Sequence, residues 1–390
     1  MGPSNQKHQP LKGILFFVTA IFLISVVDTI CKFFTKDLHA IQIVWGYLIG
    51  INITLWIFFL LKGEKISKLV KFLCSASTGE DHIDKKTLDE MKIPYAFSTG
   101  ANAIAVREYV LSTLALMLQE QKFNKNLNCI GIFGCGNIGG GMCKVLDHFG
   151  FEFYVEDPFV EHGWHCLEEY LWSYNKNNDH GQLPSALNFI SLHVPLHYHD
   201  EFPTVSLINK HFLQNLPDGA IIVNTSRGGV VSEKDFMELD SDKDYIRLIS
   251  DVFENEPNVN KDFLNKNLFA TPHIAGHSQF ARYQMTKMAY ENVMNFLGQD
   301  IIERNSILEN RIINFEKNIF DRDMKEFGLP VTLMLDTYNP KSDVFNYKDF
   351  KKVRDNYNNR IGYSQLTIKG CSDDADREKL KLLGFTVEEN

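Results

Sequence analysis

Residues 127–157 read LNCIGIFGCGNIGGGMCKVLDHFGFEFYVED, and no other stretch of the chain leaves its fold so little freedom. A short apolar run, Cys129–Phe133, predicts a strand that enters Gly134-Cys135-Gly136-Asn137-Ile138-Gly139. A helical segment follows, then a second strand over Glu152–Val155 that ends at Glu156-Asp157. Each glycine has a physical task. Gly134 permits the tight turn, Gly136 lets the backbone approach a pyrophosphate, and Gly139 lets helix and strand pack closely. Free N–H groups and the dipole at the helix start favour an anion there, with Asn137 and Ile138 completing the cofactor loop. Asp157 stands 18 positions beyond Gly139. It would accept from ribose hydroxyls and repel a 2′-phosphate, so the unit predicts NAD rather than NADP.

Further β/α units run on to about residue 300, with apolar strands expected at Leu187–Leu192, Ala220–Val223, Tyr245–Ile249 and Asn267–Ala270. In open α/β sheets, ligands bind beyond the carboxyl ends of the strands. Just past those ends stand His193 and Val194, then Thr225-Ser226-Arg227, then Asp251 through Glu256, then His273. Val194, Thr225 and Ser226 are candidate cofactor contacts. Arg227, Glu256 and His273 converge in principle on one crevice. They form a workable set for oxidising a hydroxy acid. Arginine grips a carboxylate with two parallel hydrogen bonds. Histidine takes the hydroxyl proton, and a carboxylate beside it fixes its tautomer. The bland alternative is a surface ion pair with a histidine in a turn. The segment His193-Val-Pro-Leu-His197-Tyr-His199 has spacing suited to a metal, but no neighbouring Cys or acid cluster completes a ligand set, so none is expected.

The N-terminal part has a different character. Gly13–Cys31 is apolar apart from Thr19, Ser25, Asp28 and Thr29, and Leu38–Leu61 contains no Lys, Arg, Asp or Glu. Either run can cross a bilayer as a helix, which takes about 20 residues. Lys7 and Lys12 precede the first run, and Lys62, Lys65, Lys68 and Lys71 follow the second. The connection carries only Lys32, Lys36 and Asp37. The positive-inside rule then predicts a hairpin over residues 13–61 in the lipid bilayer, with both ends and the remaining chain in the cytoplasm. The competing reading is a pair of buried core helices. Through Lys71 the net charge is +5, against −9 for the whole chain. The body is therefore strongly acidic, which argues against nucleic-acid binding. Seven cysteines without a CxxC pair fit a reducing compartment.

The stretches VNTSRGGVV, SDVFENEP and TPHIAGHS, in that order and spacing, resemble motifs of the D-2-hydroxyacid dehydrogenase family. The resemblance implies that Arg227 binds and polarises the substrate, that His273 is the acid/base and that Glu256 pairs with it. It further implies that Asp251 contacts the nicotinamide amide and that Gly276 approaches the cofactor. The segment SASTGEDHIDKKTLDEMKIPYAFSTGANAIAVREYVLSTLALML is similar to the corresponding part of the erythronate-4-phosphate dehydrogenases. So is the tail after about residue 310, with FKKVRDNYNNR and LTIKGCSDDADREKLKLLGFTV. This similarity implies NAD-dependent oxidation of 4-phospho-D-erythronate to the 2-oxo acid, a step of pyridoxal phosphate biosynthesis, and a homodimer formed through the C-terminal domain. Ser77 and His277 would contact substrate, His277 standing where the family usually has tyrosine. LKGILFFVTAIFLISVVDTICKFFTKDLHAIQIVWGYLIG resembles the first two helices of drug/metabolite-transporter proteins, although two helices cannot form a complete carrier. The family's opening β/α units and its Arg-Ser loop do not precede Lys71. That departure implies a truncated substrate domain, impaired substrate grip and a junction of two unrelated coding segments.

The chain is thus expected to be α/β. A Rossmann-type dinucleotide-binding domain spans 106–279, and an incomplete flavodoxin-like substrate domain is drawn from 70–105 and 280–305. A small α+β C-terminal domain covers 310–390, and a two-helix transmembrane hairpin lies within 1–65. The alternatives are another phosphorylated 2-hydroxyacid dehydrogenase or a non-catalytic, membrane-held NAD-binding module.

Overall fold

The computed structural model describes residues 70–80, 83–159, 186–198, 202–239, 246–302, 308–357 and 360–388. The hairpin expected over residues 13–61 lies outside them, and no helix among the described residues is long and apolar enough to cross a membrane. The chain divides into two compact units, Met1–Leu73 with Asp84–Tyr95, and Cys74–Ile83 with Ala96–Asn390. In the first, Asp84 caps the helix Lys85–Glu90 by accepting from Thr87 N at 3.0 Å, and Leu73 N donates to Pro94 O at 3.0 Å. Leu73–Ser75 (β1) and Tyr95–Phe97 (β2) pair as a two-stranded sheet.

The second unit is built on a parallel sheet of Cys129–Phe133 (β3), Phe153–Glu156 (β4), Leu187–Leu192 (β5), Ile221–Asn224 (β6), Arg247–Ser250 (β7) and Phe269–Ala270 (β8), in the order β4-β3-β5-β6-β7-β8. The order reverses at β3, which has β4 on one side and β5 on the other. Such a reversal opens a crevice at the carboxyl ends of the two central strands. Both faces of the sheet are covered. Ile130, Ile132, Phe189, Val223 and Ile249 point into one buried cluster, and Cys129, Phe133, Ile190, Ile222 and Leu248 into another. Side chains alternate between faces along a strand, so a strand buried on both sides reads as an unbroken apolar run.

The helix Ala103–Gln119 (α1) is buried continuously from Glu108 to Leu118. An all-round apolar helix is stable only inside a core. Gly139–His148 (α2) leaves the glycine loop with Met142, Cys143 and Leu146 buried. Gln279–Leu297 (α3) starts at Ser278, whose hydroxyl accepts from Ala281 N, and stops at Gly298 in the left-handed conformation. Beyond it, Arg311–Asn314 (β9), Leu366–Lys369 (β10) and Thr386–Val387 (β11) form a three-stranded parallel sheet in the order β11-β10-β9. The helix Asp374–Leu383 packs beside it, and Tyr363 stacks on Phe385 with ring centroids 4.5 Å apart.

Several strands begin later than the apolar runs suggest. Ala220 N is tied to Pro217 O in a turn, so β6 opens at Ile221. Asn267 closes the preceding helix through its side chain to Phe263 O and its N–H to Leu264 O, which shortens β8 to Phe269–Ala270.

Candidate active site

β3 delivers Gly134 to the crevice with φ +89°, and a Cβ there would stand 2.8 Å from His193 O and 3.1 Å from Val194 N. At Gly139 a Cβ would come within 1.9 Å of Gly134 O, so nothing larger than glycine fits. Over Gly136 the space is open, with no atom within 4 Å of where a Cβ would be. Ile138 precedes the first turn of α2 and offers no side-chain cap; within that turn Gly140 N donates to Gly136 O at 2.9 Å. Asn137 lies against Gly100. Asp157, just past β4, accepts from Cys135 N at 2.7 Å and from Phe159 N at 3.0 Å, so it steadies the glycine loop. Thr225 Oγ1 is buried without a partner, while Ser226 donates its N–H and its hydroxyl to Asn224 Oδ1 at 3.1 and 2.8 Å. His193 shares Nε2 with Ser191 Oγ at 2.9 Å, leaves Nδ1 buried and unpartnered, and is pushed down to about 3 by burial. It is therefore neutral at working pH. An open glycine cradle, an uncapped helix start, a carboxylate past the second strand and an orphaned hydroxyl together fit a dinucleotide.

The structure brings Glu256 and His273 together, with Oε2 of the first 2.7 Å from Nδ1 of the second. Glu256 is fixed in turn by accepting from Phe253 N at 3.0 Å. His273 has φ +56°, a left-handed conformation that a non-glycine residue holds only where its surroundings over-determine it. Arg227 stands past β6, half-buried, with Nη1 donating to Ser226 O at 2.8 Å. The next residue, Gly228, packs so closely on the segment leading to Glu256 that a Cβ would meet Phe253 O at 1.9 Å. This close approach ties the loop of Arg227 to the loop of Glu256.

Asp251 is 1% exposed and takes three donors: Thr271 Oγ1 at 2.7 Å, Ile274 N at 2.8 Å and Ala275 N at 2.9 Å. Tyr109 OH lies 2.8 Å from the same Thr271 hydroxyl. Burial pushes the Asp251 carboxyl up, against the pull of His273 and these donors. The family resemblance implies a cofactor contact for Asp251; its environment also makes it the anchor of the loop after His273. Gly276, in that loop, has Asn102 so close that a Cβ would stand 2.4 Å from Nδ2. Burial pushes His277 down to about 4, helped by the nearby Arg282, Arg354 and Arg360, so its imidazole is neutral. Ser77 donates its hydroxyl to Gly79 O at 2.9 Å and lies 3.1 Å from Ser75 Oγ, an arrangement that caps a turn. Among the described residues, no group of His, Cys, Asp or Glu stands together as a metal site; His199 lies outside them.

Residues 117–275 match the family described as D-isomer specific 2-hydroxyacid dehydrogenase, NAD binding domain. Erythronate-4-phosphate dehydrogenase of Wigglesworthia glossinidia brevipalpis is 36% identical over 230 residues, 59% of this chain and 58% of that protein. The protein of the same name from Proteus mirabilis (strain HI4320) is 30% identical over 333 residues, 82% of this chain and 84% of that one. Among solved structures, the NADPH-dependent glyoxylate/hydroxypyruvate reductase of Sinorhizobium meliloti has a TM-score of 0.49 and 19% identity, covering 61% of this chain and 80% of the other. With the glycine loop, the Glu256–His273 contact and a relative 30% identical over 84% of its own length in agreement, the chain belongs to the D-isomer-specific 2-hydroxyacid dehydrogenase family.

Proposed function

We propose that this chain oxidises the C2 hydroxyl of 4-phospho-D-erythronate to the 2-oxo acid with NAD, a step towards pyridoxal 5′-phosphate. The observation that carries this reading is the 2.7 Å contact of His273 Nδ1 with Glu256 Oε2 past the carboxyl ends of the sheet, in a chain similar to erythronate-4-phosphate dehydrogenases over most of its length.

A carboxylate only accepts hydrogen bonds, so Nδ1 of His273 carries the proton and Nε2 presents its lone pair. That lone pair takes the proton of the substrate hydroxyl, and Glu256 stabilises the imidazolium that results. Arg227 offers guanidinium donors to the substrate carboxylate, which turns C2 towards the cofactor crevice and polarises the forming carbonyl. The dinucleotide would be held at its pyrophosphate by the glycine loop Gly134–Gly139, with Thr225 beside it, and its nicotinamide would supply the two-electron acceptor. Ser77 and His277 are the proposed substrate contacts, His277 as a neutral hydrogen-bonding group.

Three further parts of the reading rest on sequence. The C-terminal domain would form a homodimer, and residues 13–61 would hold the catalytic part at the cytoplasmic face of a membrane. The join near Lys71 would be a fusion that cost the substrate domain its first strands.

The test is turnover by the full-length chain in detergent with NAD and 4-phospho-D-erythronate, read as NADH absorbance. His273→Ala is expected to lower the rate on the order of 10³-fold, within the span attributed to a general acid–base residue. Equal rates in parent and variant would remove His273 from the chemistry. NADH binding without turnover would leave a cofactor-binding module, and turnover only with 3-phosphoglycerate would reassign the substrate.

A further inference from the structure

Residues 274–277, which follow the proposed base, are gripped from two sides by buried charge. Asp251 takes the N–H groups of Ile274 and Ala275. Arg360, from the segment that leads into β10, takes their carbonyls. Its Nη1 donates to Ile274 O and His277 O, both at 3.0 Å, and its Nη2 to Ala275 O at 2.6 Å and Ala105 O at 2.7 Å. The main chain of Arg360 adds a bridge to Ser278 and accepts from Gln279 N at 3.0 Å. The guanidinium lies 4.4 Å from the centroid of the Tyr338 ring, and Tyr357 and Glu108 also act on its charge. Burying a cation is costly unless its donors are used. Here four of them end on main-chain carbonyls, three of which belong to the loop of His273 and Gly276. A lysine has three donors on one nitrogen and cannot span that set.

We infer that Arg360 is a positioning residue of this active site, which clamps the carbonyls of Ile274, Ala275 and His277 and so sets the direction of His273. The segment before β10 is then part of the catalytic apparatus. The left-handed backbone at His273 needs such support, because a strained conformation relaxes once its neighbours release it. For its kinetic consequences the inference rests on the function proposed above.

The test uses full-length Arg360→Met and Arg360→Lys, with hydrogen exchange of the peptide spanning 272–279 measured beside kcat, KM and NADH affinity. In Arg360→Met the amides of Ile274 and Ala275 are expected to exchange at least about tenfold faster, as local opening becomes easier. Turnover is expected to fall on the order of 10²-fold, the cost of a small misplacement of a reacting group, with NADH affinity and KM within about threefold. Lysine should restore part of kcat. A folded Arg360→Met with parental loop exchange and kcat would overturn the inference. If Arg360→Met does not fold, Arg360→Lys carries both readouts; if neither folds, Arg360 belongs to the general core and the inference fails. A parent chain without turnover would instead defeat the proposed function, and loop exchange would still decide the role of Arg360.

Discussion

The two parallel sheets of the second unit use the same hydrogen-bond pattern under opposite conditions of burial. β3 and β6 are buried at every residue, and their sheet has an apolar cluster on each face. β9 is exposed at three of its four residues, with Ile312 at 61%. A strand packed on both faces has no tolerance for a change of volume, whereas an exposed edge has a good deal. The proposed chemistry is mounted on the intolerant sheet, where loops past the strand ends inherit its rigidity. The tolerant sheet contributes through the segment that precedes β10. Phe189→Ala, in β5, is expected to cost about 3–5 kcal/mol in urea unfolding, while Ile312→Ala should stay within about 0.5 kcal/mol. Similar losses at both sites would break the contrast.

Glycines sharpen it further. Gly139→Ala places a Cβ 1.9 Å from Gly134 O, so the cofactor loop must move. NADH affinity is expected to drop by about 3 kcal/mol, roughly a hundredfold in Kd by fluorescence titration. Gly370, after β10, has φ +81° but open space around it. There alanine should cost about 1 kcal/mol of stability through backbone strain and leave the Kd of NADH unchanged.

Between the two sheets, α1 carries Glu108, whose carboxylate accepts from Tyr363 N at 3.0 Å. Burial pushes its carboxyl up to about 7, against the opposing pull of Arg360. From its ordinary value near 4.5 up to about 7, the folded chain therefore holds a proton that the unfolded chain has released. Stability contributed by this group falls as pH rises across that window, and is level above it. Glu108→Gln keeps an acceptor for Tyr363 without the titration. The stability difference, variant minus parent, should grow by about 1.4 kcal/mol per pH unit across the window. A flat difference would mean that Glu108 is ionised throughout.

Local patterns made one sheet legible and left the links between elements unread. The strands Cys129–Phe133 and Leu187–Leu192 stand where their apolar runs begin and end, because burial on both faces writes itself into consecutive residues. The glycine loop was legible because each glycine answers a steric demand within a dozen residues. Arg360 left no such trace. Its partners are carbonyls, which every residue possesses, and Ala105 is 255 positions away. The same holds for the Tyr109–Thr271–Asp251 chain, since a tyrosine in an apolar helix reads as core until its hydroxyl finds a partner. Ser77 shows another kind of invisibility: the resemblance implies a substrate contact, and only the structure shows that its hydroxyl also donates to Gly79 O within its own turn.

A modest effect probes whether the tolerant sheet is joined to the rigid one by packing or by polar contact. Tyr363 is fully buried, its hydroxyl lies 2.6 Å from Ser112 Oγ on α1, and its ring stacks on Phe385. Tyr363→Phe keeps the stacking and removes one hydroxyl. A net hydrogen bond is worth about 1 kcal/mol, and the Ser112 hydroxyl left behind can still turn to a carbonyl of its own helix. A loss of about 1 kcal/mol in urea unfolding, with NADH affinity unchanged, would mean that packing carries the seam. A loss above about 3 kcal/mol, or a weaker hold on NADH, would mean that the polar contacts along 360–365 transmit order from one sheet to the other, and the two could no longer be treated as separate.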